Sequence, residues 1–148
     1  MISPALRDIF VSVGSALVLP PEVLAAIAWR ESCFGKNLDP KGFGDHGFGY
    51  GIMQVDRRHH QLVGEPSSVE HVTQAATILR DMLNAVSRAH PSWSKADQLR
   101  GAIAAYNVGP GNVRTVERMD VGTTGNNYSA DVLAKAAIVR PRFAAVGA

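Results

Sequence analysis

The stretch AIAWRESCFGKNLDPKGFGDHGFGYGIMQVDRRHH, residues 26–60, changes character partway along. It begins as an apolar run with helical spacing that ends in Arg30, Glu31 and Ser32. From Gly35 to Gly51 six glycines then interrupt the chain. That density denies a helix and suits turns, bulges and close backbone approach, so a small β-hairpin or sheet is expected there. A short β piece set among helices places the chain in the α+β class, mainly α-helical.

The flanking sequence carries the helices. SPALRDIFVSVGSA offers Ser3 as a cap, Pro4 at the first helical position, and Leu6, Ile9, Phe10 and Val13 on one face. PPEVLAAIAWRES repeats the device with Pro21, and Glu22 falls in the first turn, where the helix dipole favours an acid. The longest element is expected in SSVEHVTQAATILRDMLNAVSRAH, where Val72, Ala76, Leu79, Leu83 and Val86 recur at three- and four-residue steps. SKADQLRGAIAAYN begins with Ser94 and Asp97 in capping-box spacing and sets Leu99, Ile103 and Tyr106 on one face. Shorter helices are expected at PGNVRTVERM and at NYSADVLAKAAIVR, the latter stopped by Pro141.

With 148 residues, 46% of them hydrophobic, the chain is long enough for one domain with its own core, expected to span residues 1–148. The net charge of +2 suits approach to an anionic polymer. Its basic residues are scattered, however, and form no nucleic-acid stripe. Cys33 is the single cysteine, so no internal disulfide can form, and it reads as a small buried hydrophobe. No apolar run reaches membrane-spanning length, and MISPALRDIFVSVGSALVLPPE lacks the basic start and cleavage site of an export signal.

Chemistry enters at Glu31. Leu24, Ile27 and Ala28 define an apolar stripe on the second helix, and Glu31 is the next position along it. A carboxyl carried inward beside aliphatic groups and Trp29 is expected to favour its protonated form, the state needed to protonate a leaving-group oxygen. An ion pair with an arginine would account for the same placement. Glycoside hydrolysis needs a second carboxylate to activate a water on the other face of the sugar, and Asp45 and Asp56 supply candidates. Taken singly, Asp45 reads as a turn residue in GDHG and Asp56 as a cap before RRHH; the combination is what suits catalysis.

The strings RES, GFGD, GYGIMQVD, HPSWSK, AYNVGPGNVR and RMDVGTTGNNYSADV resemble, in order and spacing, the goose-type lysozymes of glycoside hydrolase family 23 over roughly residues 20–140. The resemblance implies a lysozyme-like fold with its hairpin beside a substrate groove. It also implies cleavage of the β-1,4 bond between N-acetylmuramic acid and N-acetylglucosamine in peptidoglycan, with inversion. By the same resemblance Glu31 is the catalytic acid, and Asp45 and Asp56 position and activate the water. Gln54, His60, Tyr106, Asn107 and Tyr128 fall where such enzymes line the sugar groove, although Tyr106 and Tyr128 also suit core positions. Two departures stand out. The N-terminal segment of the animal enzymes, in some cases disulfide-bonded, has no counterpart, and NLDPKGFGD is one residue longer than the usual spacing before Asp45.

The partners so implied are peptidoglycan glycan strands and possible chitin oligosaccharides, met by a bacteriolytic monomer acting on the bacterial wall, outside the cytoplasm. No nucleic acid, membrane insertion, cofactor or metal is expected; Asp56, His59 and His60 form no complete ligand motif. Competing readings are a lytic transglycosylase, which generally lacks the two aspartates, and a non-catalytic peptidoglycan- or chitin-binding module, which would have no need of Glu31 with both of them.

Overall fold

Five helices and one two-stranded antiparallel sheet are present in the computed structural model, which describes residues 2–44 and 46–144. The helices are α1 (Pro4–Leu17), α2 (Pro21–Ser32), α3 (Val69–Ala89), α4 (Lys95–Val108) and α5 (Tyr128–Val139). Strands β1 (Gly49–Tyr50) and β2 (Val55–Asp56) pair Gly49 with Asp56 and Tyr50 with Val55. This is a mainly helical α+β fold. The chain forms two compact units, one running to Ala76 and resuming at Lys135, the other comprising Thr77–Ala134. Both boundaries fall inside helices, α3 and α5, and no linker marks either.

In the first unit the expected helix starts appear. The Ser3 hydroxyl accepts the Leu6 amide at 3.1 Å, and Pro4 and Pro21 open α1 and α2 where a missing N–H costs nothing. The turn between the two helices is tight. A Cβ at Gly14 would stand 2.7 Å from the Leu19 carbonyl oxygen, so only glycine fits. Helix α2 departs from expectation: every residue from Val23 to Ala28 is buried, so it is a helix enclosed on all sides, with no single apolar stripe. The chain after Val139 packs back on α1. Phe143 meets Phe10 edge-on at 6.5 Å, Arg7 Nε donates to the Arg142 carbonyl at 2.6 Å, and Arg140 pairs with Glu22 at 3.3 Å.

In the second unit Val86, Ala104, Ala105, Val113 and Met119 form a core flanked by Met82 and Trp93. Ser94 caps α4 by accepting the Asp97 amide at 3.1 Å. The helix expected at PGNVRTVERM is absent; only a 3-10 turn, Pro110–Asn112, forms. Val113 is extended there, its side chain in the core, and its carbonyl lies 2.8 Å from His90 Nε2, so this stretch takes its partners from elsewhere in the unit. The buried Asp120 carboxylate caps α5, accepting the Ser129 and Ala130 amides at 2.8 and 3.0 Å, with Arg100 at 3.6 Å. Burial pushes its acidity towards neutral, but those donors outweigh the effect and keep it below the usual carboxylate range. Helix α5 ends at Val139, two residues before Pro141, as expected from the proline.

The buried residue with the largest consequence is His71, in the first turns of α3. Its Nε2 accepts the Met53 amide at 3.0 Å, and burial lowers its pKa to about 4. Folded His71 is therefore neutral at pH values where an unfolded histidine is charged. Its contribution to stability is complete above the unfolded value near 6.5, declines as pH falls, and is gone at about 4. Urea denaturation of the wild type should lose roughly 3 kcal/mol between pH 6.5 and 4 relative to His71→Gln, whose side chain does not titrate there. Parallel pH dependence in the two proteins would show that His71 is not the titrating group.

Candidate active site

Helix α2 ends abruptly after Glu31 and Ser32. Cys33 and Phe34 both adopt left-handed backbone conformations, with φ of 52° and 55°, and the Cys33 amide closes back on the Trp29 carbonyl at 2.9 Å. Non-glycine residues rarely hold this conformation. Two in succession turn the chain sharply away and leave half-buried Glu31 in the last helical turn. Ser32, by contrast, is buried. Its hydroxyl donates to the Ile52 carbonyl at 2.8 Å and accepts the Gly35 amide at 2.9 Å.

The hairpin turn is thereby held from two helices. Ser32 of α2 takes the Ile52 carbonyl, and His71 of α3 takes the amide of Met53. The neighbouring Ile52 amide donates to the Pro66 carbonyl at 2.9 Å. Gln54, left-handed at φ 55°, folds its side chain over the hairpin and donates from Nε2 to the Gly51 carbonyl at 2.9 Å. A Cβ at Gly44 or Gly49 would collide with the Gln54 amide oxygen, and one at Gly51 with the His71 ring.

Asp56 closes β2. Its Oδ1 accepts the Arg58 amide at 2.8 Å and Arg58 Nε at 3.0 Å, and its Oδ2 accepts Arg58 Nη2 at 2.7 Å. The Arg58 guanidinium, opposed by partial burial, holds the carboxyl down at about 2, so Asp56 is ionised wherever the protein is folded near neutrality. The Asp56 carbonyl accepts the amides of His59 and His60, both at 3.1 Å, and His60 itself is exposed. Asp45 lies outside the described residues.

The sites expected on the second unit divide. Tyr106 is half-buried on α4. Asn107 is occupied within the unit, its Oδ1 accepting the Thr124 amide at 2.9 Å and its Nδ2 donating to Thr124 Oγ1 at 3.2 Å. Tyr128 is 1% exposed at the start of α5, which makes its ring part of the core and leaves no face for a sugar to stack on. Ser32, Arg58 and His71 were not legible as site-building residues. A signal for His71 exists: it lies one and four residues from Val72 and Ala75, on the apolar face of α3, where an uncharged side chain is required.

The fold and hairpin thus define a mainly helical α+β protein whose glycine-rich hairpin carries an ionised aspartate and is tied to a helix with a glutamate in its last turn. The chain belongs to the lysozyme g family, whose model, described as Lysozyme g, matches residues 4–141. It is 51% identical over 124 residues to Lysozyme g of Struthio camelus, covering 84% of this chain and 60% of that protein. It is 48% identical over 130 residues to Lysozyme g of Casuarius casuarius, covering 88% and 70%, and 48% identical over 124 residues to that of Gallus gallus, covering 84% and 58%.

The Ser32 contact can be tested alone. Ser32→Ala leaves the buried Ile52 carbonyl without its donor and should cost about 1–3 kcal/mol in urea denaturation. The Gly35 amide, bonded to the same hydroxyl, should exchange with solvent faster. Unchanged stability together with unchanged Gly35 exchange would remove Ser32 from the account of how the hairpin is held.

Proposed function

We propose that this protein is a muramidase that hydrolyses the β-1,4 bond between N-acetylmuramic acid and N-acetylglucosamine in peptidoglycan, inverting the anomeric centre. The observation that carries this reading is the buried Ser32–Ile52 hydrogen bond, which couples the residue next to Glu31 to the hairpin that bears Asp56. The names of the family and of its relatives support the substrate class. The chain spans 60% of the length of the Struthio camelus relative.

In the proposed reaction Glu31 gives its proton to the glycosidic oxygen as the bond to the anomeric carbon breaks. A water held by the aspartates attacks that carbon from the opposite face, and its proton passes to the carboxylate acting as base. Held in ionised form by Arg58, Asp56 is a strong hydrogen-bond acceptor and a weak base, which suits orienting the water. Asp45 is proposed to share the water with it. Sugar contacts are proposed for His60 and Tyr106, which keep exposed or half-exposed rings. Gln54, Asn107 and Tyr128 are assigned the indirect role of holding the backbone around them. A soluble monomer acting on the bacterial wall completes the proposal; among the described residues no helix is long and apolar enough to cross a membrane.

Glu31→Gln fills the same volume and has no proton to give. It should remain folded and lose wall lysis by at least about 100-fold, the scale of general-acid contributions. A folded variant with full activity would remove Glu31 as the acid.

Product chemistry tests the reaction class. Proton NMR of a glycan-strand digest, read before mutarotation, should show the α anomer first, and mass spectrometry should find free reducing ends. An initial β anomer would establish retention. 1,6-Anhydro ends would establish a transglycosylase, and no products at all a binding module.

A further inference from the structure

The Arg58 side chain is held on both faces of its chemistry. Its guanidinium carbon lies 4.1 Å from the centre of the Phe48 ring, and its nitrogens close on Asp56. Phe48 is registered beneath it by the hairpin, since the Phe48 carbonyl accepts the Arg57 amide at 2.9 Å, and the ring is 40% exposed. A carboxylate offers about four acceptor positions, two on each oxygen. Oδ1 of Asp56 spends both, on the Arg58 amide at 2.8 Å and Nε at 3.0 Å. Oδ2 takes Nη2 at 2.7 Å and only the long arm of the shared Nε bond at 3.3 Å.

We propose that Arg58 is a positioning residue which, laid on Phe48 and closed on Asp56, leaves Oδ2 as the Asp56 oxygen that holds the hydrolytic water. This rests on the role given to Asp56 above. A carboxylate gripped by two guanidinium nitrogens turns only as a unit with them, so the direction of its remaining lone pair is set by the arginine and the ring under it. Lysine would keep the charge and lose that orientation. Surface pairs between near neighbours add little to stability, so the effect belongs to turnover and not to folding. Among the described residues, the largest charged contributions to Asp56 come from Arg58, with a smaller one from His59.

The test uses the full chain on soluble glycan strands. Arg58→Gln should stay folded by circular dichroism, lose about 10-fold in kcat, and keep KM within about twofold, because an interaction needed only as water attacks has been removed. The acidic limb of kcat/KM should move up by about 1–2 pH units as Asp56 regains an ordinary carboxylate acidity. Arg58→Lys should hold that limb near its wild-type position without restoring kcat. Phe48→Leu, which leaves every charge in place, should fall between wild type and Arg58→Gln. A folded Arg58→Gln with wild-type kcat and an unmoved limb overturns the proposal, as does wild-type kcat in Arg58→Lys should the glutamine variant not fold. Asp56→Asn separates the role of Asp56 from that of Arg58. If it keeps full turnover, the catalytic role of Asp56 falls and this proposal with it. If it is defective while the arginine variants are normal, only the role of Arg58 falls.

Discussion

Two buried hydrogen bonds to adjacent peptide groups hold the hairpin in place: the Ser32 hydroxyl to the Ile52 carbonyl, and the Met53 amide to His71 Nε2. Each strand of the hairpin has two residues, far too few to persist in water without support. Ile52 and Met53 are themselves buried, and a buried peptide group left without a partner is costly. The turn therefore belongs to the core, and the positions of Gln54 and Asp56 follow from it. The second clamp requires a neutral imidazole, which burial enforces.

The glycines of this segment do two different things. Gly51, at φ 76°, needs the left-handed region and also leaves room for the His71 ring. Gly44 and Gly49 carry no such conformational demand; they are glycines because the Gln54 side chain occupies the space a Cβ would take. The glycine pattern is in part a mould of two other side chains. Outside the mould the hairpin presents cationic surface stacked on aromatic rings, with Arg57 4.8 Å from the centre of Phe43 and Arg58 4.1 Å from that of Phe48. Rings so placed favour one direction for flexible arginines through cation–π attraction.

Helix starts were readable because their causes are local. Ser3 with Pro4, Pro21, and Ser94 with Asp97 satisfy or remove amides within three or four residues of themselves, and each appears as expected. The failures have non-local causes. Residues 113–119 carry helical periodicity, yet Val113 is drawn into the core of its unit and its carbonyl is taken by His90. The cap of α5 is Asp120, eight residues before the helix begins, a spacing no capping motif announces. The stripe through Leu24, Ile27 and Ala28 was expected to carry Glu31 inward, with an arginine ion pair as the other reading; every residue from Val23 to Ala28 is buried, so periodicity there does not say which way Glu31 points.

The sequence by itself determined the class of the fold, the positions of the helix starts, the place of the hairpin and the membership of residues 4–141 in the lysozyme g family. These depend on caps, prolines, glycine density and motif spacing, all of which act over a few residues or persist as strings. Only the tertiary structure decided that Ser32 and His71 clamp one turn, that Arg58 occupies Asp56, that Asn107 is engaged by Thr124, and that Tyr128 is core. Each of those outcomes turns on which polar groups lose water on folding and which partner reaches them. That is settled by the packing of segments distant in sequence, or, for Arg58, by a ring ten residues away brought beneath it by the hairpin.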